Sequence, residues 1–339
     1  SGKAWRLPTR AELSQINPSG AWWTSEEHPI TATNLTDFFN YVAVRLTSQT
    51  KNGLIYILGG RRIEIINTSD NTLSDNIELS NNYGSIETSV LLNNKIYLPR
   101  ESKVLEIFDI DNNTVTTIAD FFNFGYGRRT AQAVGAKIYI PTVAYETLEI
   151  INTVNNSVTT DTNFFDTGKQ RYTSQLVNGK IYIPQNNGTA LEIIDTNNND
   201  SLTTIPNFFE RNVSRNTSIT VGNKIYIPSG YHLEIIDTEN NNALTTIPVL
   251  LSYSGTQETM QAFGVYIYIP NYLSKGLDIL NTVNNTVITI PNFFDAEVQR
   301  STSQIVNGKI YIPALQGSKT LEIIDITKKD GVFILNNGK

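Results

Sequence analysis

The sequence predicts an all-β protein: a seven-bladed β-propeller of four-stranded antiparallel blades with a short N-terminal cap segment. Three observations carry that expectation. A core of the form I-Y-[IL] recurs with its tyrosine at Tyr56, Tyr97, Tyr139, Tyr182, Tyr226, Tyr268 and Tyr311, a spacing of 41 to 44 residues. Seven near-equal periods of this length are the mark of a repeat architecture. Within a period, four short β-branched runs alternate with turn residues, as at 173–177, 180–183, 191–195 and 202–205; four strands per repeat make a blade. The connections have hairpin chemistry, since Asn178-Gly179 suits a primed two-residue turn and the TNNND stretch at 196–200 a longer one. Helical periodicity shows only weakly, at 10–16.

Composition narrows the function classes. The 339 residues are 40% hydrophobic, enough for a sizeable core. A balance of 26 basic to 32 acidic residues, net -6, argues against a broad basic face for nucleic acid. Cysteine is absent, which removes disulfides, thiolate metal sites and cysteine nucleophiles. No apolar run reaches the length of a membrane-spanning helix. The chain opens on Ser1 and its one methionine is Met260, which reads as a processed product or an excised fragment.

The repeat unit RYTSQLVNGKIYIP…LEIID, best seen at 171–195, resembles the kelch repeat over residues 37–335. That resemblance implies an arginine before the first strand, NGKIY in the second and a Y-D-like third strand. Two features depart from the family: Gly-Gly after the second strand survives only at Gly59-Gly60 and is replaced by proline elsewhere, and TTIP stands where the fourth-strand tryptophan is expected. The chain therefore reads as a divergent kelch-like form, similar to propellers of phage tail-fibre and bacterial surface proteins. For the outermost strand of blade seven, both TATNLTDFF at 31–39 and GVFIL at 331–335 fit the slot. Residues 1–36, with AWRLPTRAEL and GAWWTSEE, resemble a fragment of a lectin-like module related to formylglycine-generating enzymes; the alternative is a cap that buries Trp5, Trp22 and Trp23. Residues 336–339 form a short tail.

Comparing the repeats with one another separates the two faces of the disc. The turns between first and second strands, and between third and fourth, are monotonous. The loops between second and third strands differ in every blade, from LGGRR and PRESK to PTVAYET and PNYLSKG. Function on a rigid scaffold is expected on that diversified face. Before each innermost strand stand Arg45, Ile86, Arg128, Arg171, Arg215, Gln257 and Arg300 in turn, with Glu87 and Glu258 following the two exceptions. Five guanidiniums converging on the channel mouth would suit an acidic ligand. Equally, each arginine could pair with an acid such as Asp166, Glu210, Asp295, Glu87 or Glu258 and serve the blade joint. The recurring third-strand acids (Glu106, Glu149, Glu192, Glu234, Glu322) read as solvent-facing or inter-blade positions. Tyr126, Tyr145, Tyr231 and Tyr272, with His232 and Arg129 beside them, place aromatic and polar groups on the variable loops.

Signatures of catalysis are missing. The two histidines, His28 and His232, are too far apart in sequence to suggest a metal cluster or a catalytic triad. Neither a phosphate-binding loop nor a dinucleotide fingerprint occurs. The expectation is a non-enzymatic recognition module without cofactor that binds a protein or glycan at a cell or virion surface or outside the cell, with an acidic ligand and a place in a larger assembly both compatible with the sequence. The alternatives are a structural assembly subunit and a polysaccharide-active enzyme. Elemental analysis of the purified, chelator-treated protein is expected to find no stoichiometric zinc or copper; a retained metal would contradict this reading.

Overall fold

The computed structural model describes residues 46–59, 61–80, 85–248, 257–294, 297–313, 321–326 and 334–336. The cap at 1–36, the competing strand at 31–39 and Arg45 lie outside the described residues. Twenty-eight described strands form seven antiparallel four-stranded sheets, each in sequence order from innermost to outermost strand. The fold is a seven-bladed β-propeller. Blade four shows the unit: Gln175–Val177, Lys180–Pro184, Leu191–Asp195 and Ser201–Ile205, with Tyr182 opposite both Gln175 and Ile193.

The repeat's side-chain order follows from strand alternation between two buried faces. In blade four, Ile181, Ile183 and Ile194 pack back against Tyr139 and Leu148 of blade three. Tyr182, Leu191 and Ile193 pack forward against Ile225, Ile227 and Ile236 of blade five. Every I-Y-I core thus sends isoleucines to one neighbour and a tyrosine to the other. The tyrosine hydroxyls reach the monotonous face, where that of Tyr139 donates to Asp200 Oδ1 at 2.7 Å. Burial pushes these phenols above their ordinary pKa, Tyr268 to about 12.

The monotonous turns have the expected backbone. Asn52-Gly53, Asn93-Asn94, Asn178-Gly179 and Asn307-Gly308 have positive φ at both central positions, from 50° to 75°, as a primed hairpin requires. The Asn-rich outer turns are closed by side chains onto backbone amides, for example Asp195 Oδ1 accepting from Asn197 N at 3.1 Å.

The ring shuts between blades one and seven. Ser48 and Thr302 share a hydroxyl bond at 2.6 Å, Gln304 Nε2 donates to Ser48 O at 2.9 Å, and Tyr311 donates to Asn71 Oδ1 at 3.0 Å. Ile55, Ile57 and Ile66 pack there with Val306, Tyr311 and Leu321. Blade seven is completed from the C-terminal side: Ile334–Asn336 pairs with Leu321–Asp325, Ile324 opposite Leu335. Ile334 and Leu335, the last two residues of the GVFIL stretch, thus lie in that slot; the stretch at 31–39 is outside the described residues.

The Thr-Ser-Gln copied through the sequence is a belt of joints around the channel. The threonine hydroxyl of one blade meets the serine hydroxyl of the next in Thr47–Ser89, Thr130–Ser174, Thr173–Ser218, Thr259–Ser303 and Thr302–Ser48. The glutamine two residues after that threonine donates to the same serine's carbonyl: Gln49, Gln132, Gln175, Gln261 and Gln304. Two joints lack both bonds. Between blades two and three the glutamine is Val90 and the serine Ala131; between five and six they are Ile219 and Met260. These pairs pack within apolar clusters instead. Donor and acceptor have changed together, as they must where an unmatched buried polar group is costly. Installing both partners in joint two–three, Val90→Gln with Ala131→Ser, is expected to show a favourable coupling of about 1 kcal/mol in a denaturation double-mutant cycle. Strictly additive single effects would count against the joint code.

Candidate functional site

Four of the five arginines before the innermost strands, those among the described residues, are not presented at the channel mouth. Arg128, Arg171, Arg215 and Arg300 are each 0% exposed. Each instead forms a two-pronged pair with the third-strand glutamate of its own blade. Arg171 donates from Nε to Glu192 Oε2 at 2.6 Å and from Nη2 to Oε1 at 2.7 Å, and Arg128–Glu149, Arg215–Glu234 and Arg300–Glu322 repeat the fork. The guanidinium lies 3.8–4.1 Å from the ring centroid of the second phenylalanine of the preceding Phe-Phe pair: Phe122, Phe165, Phe209 and Phe294. Its remaining N–H groups donate to main-chain carbonyls of the loops on either side of the joint.

The joint role expected for the arginines therefore stands, with a different acid. Of the acids first considered, Asp166 offers only its backbone carbonyl to Arg171, at 3.1 Å. Glu210 is exposed, Glu87 pairs with Arg129, Glu258 accepts from Asn216, and Asp295 lies outside the described residues. The third-strand glutamates are the inter-blade acids, and Glu149 has its carboxyl raised by burial against the opposing pull of Arg128. Among the described residues these four guanidiniums are buried and forked to glutamate, so they offer no arc of free positive charge to an acidic ligand.

The two arginine-less blades adjust around the same acid position. In blade two, where Ile86 takes the arginine's place, Arg100 comes from the following loop and its Nε donates to Glu106 Oε2 at 2.7 Å. In blade six the glutamate becomes Asp278, fully buried, which accepts from Thr289. In blade one, burial drives the Glu64 carboxyl up to about 7, with Arg62 pulling it down.

One residue further along, the side chains of Glu87, Arg129, Tyr172, Asn216 and Glu258 are partly exposed. Arg129 Nε donates to Glu87 Oε1 at 3.1 Å, and its guanidinium sits 4.0 Å from the Tyr172 centroid. Asn216 Nδ2 donates to Glu258 Oε1 at 2.8 Å. The accessible polar groups of the mouth are therefore these second-position residues. Among them Arg129 and Glu87 pair their charges, and Glu258 accepts from the neutral Asn216.

Next to them is the most distinctive feature of the variable face. Phe124, Tyr126 and Tyr145 stack in a row, with centroids 4.9 and 3.9 Å apart and planes within 14° and 21°. The first two come from the connection between blades two and three, the third from the loop between 141 and 148 of blade three. Phe124 is 38% and Tyr145 49% exposed. Gly125 and Gly127 let the loops interleave: a Cβ at Gly125 would stand 3.3 Å from Glu101 O, and one at Gly127 3.2 Å from Val143 Cγ2.

The buried clasps hold this row from beneath. Arg128 donates to the carbonyls of Phe124 and Tyr126 at 2.8 and 3.0 Å, and Arg171 to that of Tyr145 at 2.9 Å. Burial raises the Tyr126 phenol, and the charges of Tyr145, Glu149 and Glu146 add to the shift. Of the other tyrosines singled out in the sequence, Tyr231 is exposed on blade five and Tyr272 is half-buried on blade six, its carbonyl accepting from Arg300 N at 3.1 Å. Neither belongs to the stack. His232 opens a third strand, with its Nδ1 3.5 Å from Arg211 Nη1. Sequence reasoning missed Phe124, although FFNFGYG at 121–127 pairs an extra aromatic with glycines where the connections at 166–170, 210–214 and 295–299 carry no aromatic. Among the described residues, no cluster of three or more histidines, cysteines or carboxylates could hold a metal ion, and no helix is long and apolar enough to cross a membrane.

No family model matches the sequence, and no curated protein matches it. Solved structures share the fold. BamB from Moraxella catarrhalis is 13% identical, with 82% of this chain and 80% of that chain covered and a TM-score of 0.54. PorZ, an essential bacterial surface component of the type-IX secretion system of Porphyromonas gingivalis, is 12% identical over 87% of this chain and 38% of that one, with a TM-score of 0.58. The computationally designed Ika8 protein is 4% identical over 84% and 97%, also with a TM-score of 0.58. At these identities the likeness is one of fold.

Clasp and mouth positions are expected to respond differently to substitution. Arg171→Ala leaves a buried carboxylate and several carbonyls without their donor and should cost about 3–5 kcal/mol in chemical denaturation. Arg129→Ala, at a part-exposed pair, should cost no more than about 1 kcal/mol. Equal losses at the two positions would contradict the division between clasp and mouth.

Proposed function

We propose that this protein is a non-enzymatic recognition module that engages a partner through the variable loop face of the propeller. A protein or glycan displayed at a cell or virion surface fits the expectation of an adhesin or phage-type receptor-binding protein. The observation that carries the reading is the Phe124–Tyr126–Tyr145 row. Exposed aromatic side chains on loops are costly to leave in water, and here two buried arginines fix their backbones. A pre-ordered aromatic patch loses little conformational entropy on binding, which is the usual make-up of an interface anchor. The likeness in fold to PorZ, described as a surface component of a secretion system, supports a role at a surface.

The test is a panel of surface proteins and glycans probed with wild type, a Tyr126→Ala/Tyr145→Ala variant and a Val154→Ala/Val283→Ala variant. The valines are 81% and 75% exposed in turns of the monotonous face. Partners retained by wild type should be lost with the tyrosine pair and kept with the valine pair. The reverse pattern, or hydrolysis or cleavage of a panel member, would overturn the proposal.

A further inference from the structure

Resting on that reading of the face, we infer that the stacked row and its adjoining carboxylates form a receptor for a cationic side chain, with arginine on a protein partner the best fit. The first ground is the pattern of charge. The chain carries a net charge of -6, and the described guanidiniums of the clasps and the mouth are engaged with its own acids. Beside the aromatic row stand two carboxylates with no such engagement. Glu146 follows Tyr145 directly, and Glu101 lies in the loop whose backbone meets Gly125. Among the described residues neither has an ion-pair partner. On the same loop as Glu101, Arg100 is buried against Glu106 and Lys103 is the remaining cation; with Asp166 and Lys169 on the adjoining connection, three negative charges stand against two positive.

The second ground is the chemistry the molecule uses internally. Four times a guanidinium lies on a phenylalanine ring while forking to a glutamate. A fifth, Arg129, lies over Tyr172 while bonded to Glu87. The exposed Tyr145 and the part-exposed Glu146 beside it bring the same two components, ring and carboxylate, to one loop of the variable face, with no cation over that ring among the described residues. An aromatic face attracts a cation through its quadrupole, and a neighbouring carboxylate adds charge and hydrogen-bond direction. Guanidinium suits this better than ammonium, because its plane can stack on the ring while its edge donates to oxygen. A neutral sugar could use the ring and would draw nothing further from the carboxylate charge.

The experiment uses the full chain labelled with 3-fluorotyrosine, with the Tyr145 resonance assigned by Tyr145→Phe. The probe is a capped Gly-Arg-Gly-Arg-Gly peptide, compared with the same peptide carrying citrulline for arginine, and with methyl glucoside. The expected result is a saturable shift of the Tyr145 fluorine signal with the arginine peptide. Affinity should be about tenfold weaker with citrulline and about tenfold weaker for the arginine peptide in Glu146→Gln, whose melting temperature should match wild type. Equal binding of citrulline and arginine, or an unchanged affinity in Glu146→Gln, would overturn the inference. A shift with methyl glucoside but not with the arginine peptide would also overturn it, while leaving the proposed use of this face intact. No response of Tyr145 to any probe would reject the patch as a cation receptor; loss of panel binding in the tyrosine variant would still identify the face.

Discussion

Each joint of this ring depends on how a buried charge is kept satisfied. An arginine stripped of water is tolerable only if its fork meets a carboxylate and its other N–H groups meet oxygen. Blades three, four, five and seven meet that demand in one way: a glutamate from the third strand, carbonyls from the loops around the joint, and a phenylalanine beneath the guanidinium. The pair itself need contribute little net stability, since desolvation offsets much of its attraction. What it does is tie three segments to one point: the third strand of a blade, the loop of the blade before it, and the connection between them. Lysine could supply the charge but not the planar fork that reaches several acceptors together.

That constraint links scaffold to function. The carbonyls gripped by Arg128 and Arg171 belong to Phe124, Tyr126 and Tyr145, so a residue repeated for structural reasons also fixes the aromatic row. Variable loops on propellers can change sequence because their backbones are held by such contacts. The second circle of joints, the Thr–Ser and Gln–Ser bonds nearer the channel, binds each innermost strand to its neighbour. Where it is absent, Val90 with Ala131 and Ile219 with Met260 replace hydrogen bonding by apolar packing. The two devices vary separately. Blade six has Gln257 in the arginine's place yet retains Thr259 and Gln261 bonded to Ser303.

Blade number, strand order and the primed Asn-Gly turns were legible in the sequence, because period, alternation and turn chemistry are local properties. The division into a monotonous and a variable face was legible for the same reason. The partners of the arginines were not. Glu192 lies 21 residues from Arg171, and in sequence its alternation inside LEIID looks like that of a solvent-facing strand residue. The acids nearest in sequence, Asp166 and Glu210, attracted attention while the true partner was set by blade geometry. A shift of one residue had a similar effect: Arg128 is buried while Arg129 is part-exposed, a distinction made by the fold around the blade joint and invisible in the Arg-Arg pair itself. Of the stacked tyrosines, Tyr126 and Tyr145 were singled out, but their meeting across two loops needed the fold, and Phe124 was masked by the Phe-Phe landmark just before it.

The central claim is that the buried arginines hold the variable loops in place, and amide hydrogen exchange in Arg171→Lys tests it most directly. Lysine keeps a positive charge near Glu192 but cannot also span the carbonyls of Tyr145, Lys169 and Asp166. The account predicts faster exchange confined to residues 143–147 and 166–170, with the strands of blades three and four still protected. Unchanged exchange in those loops, or a uniform rise through the whole propeller, would contradict it.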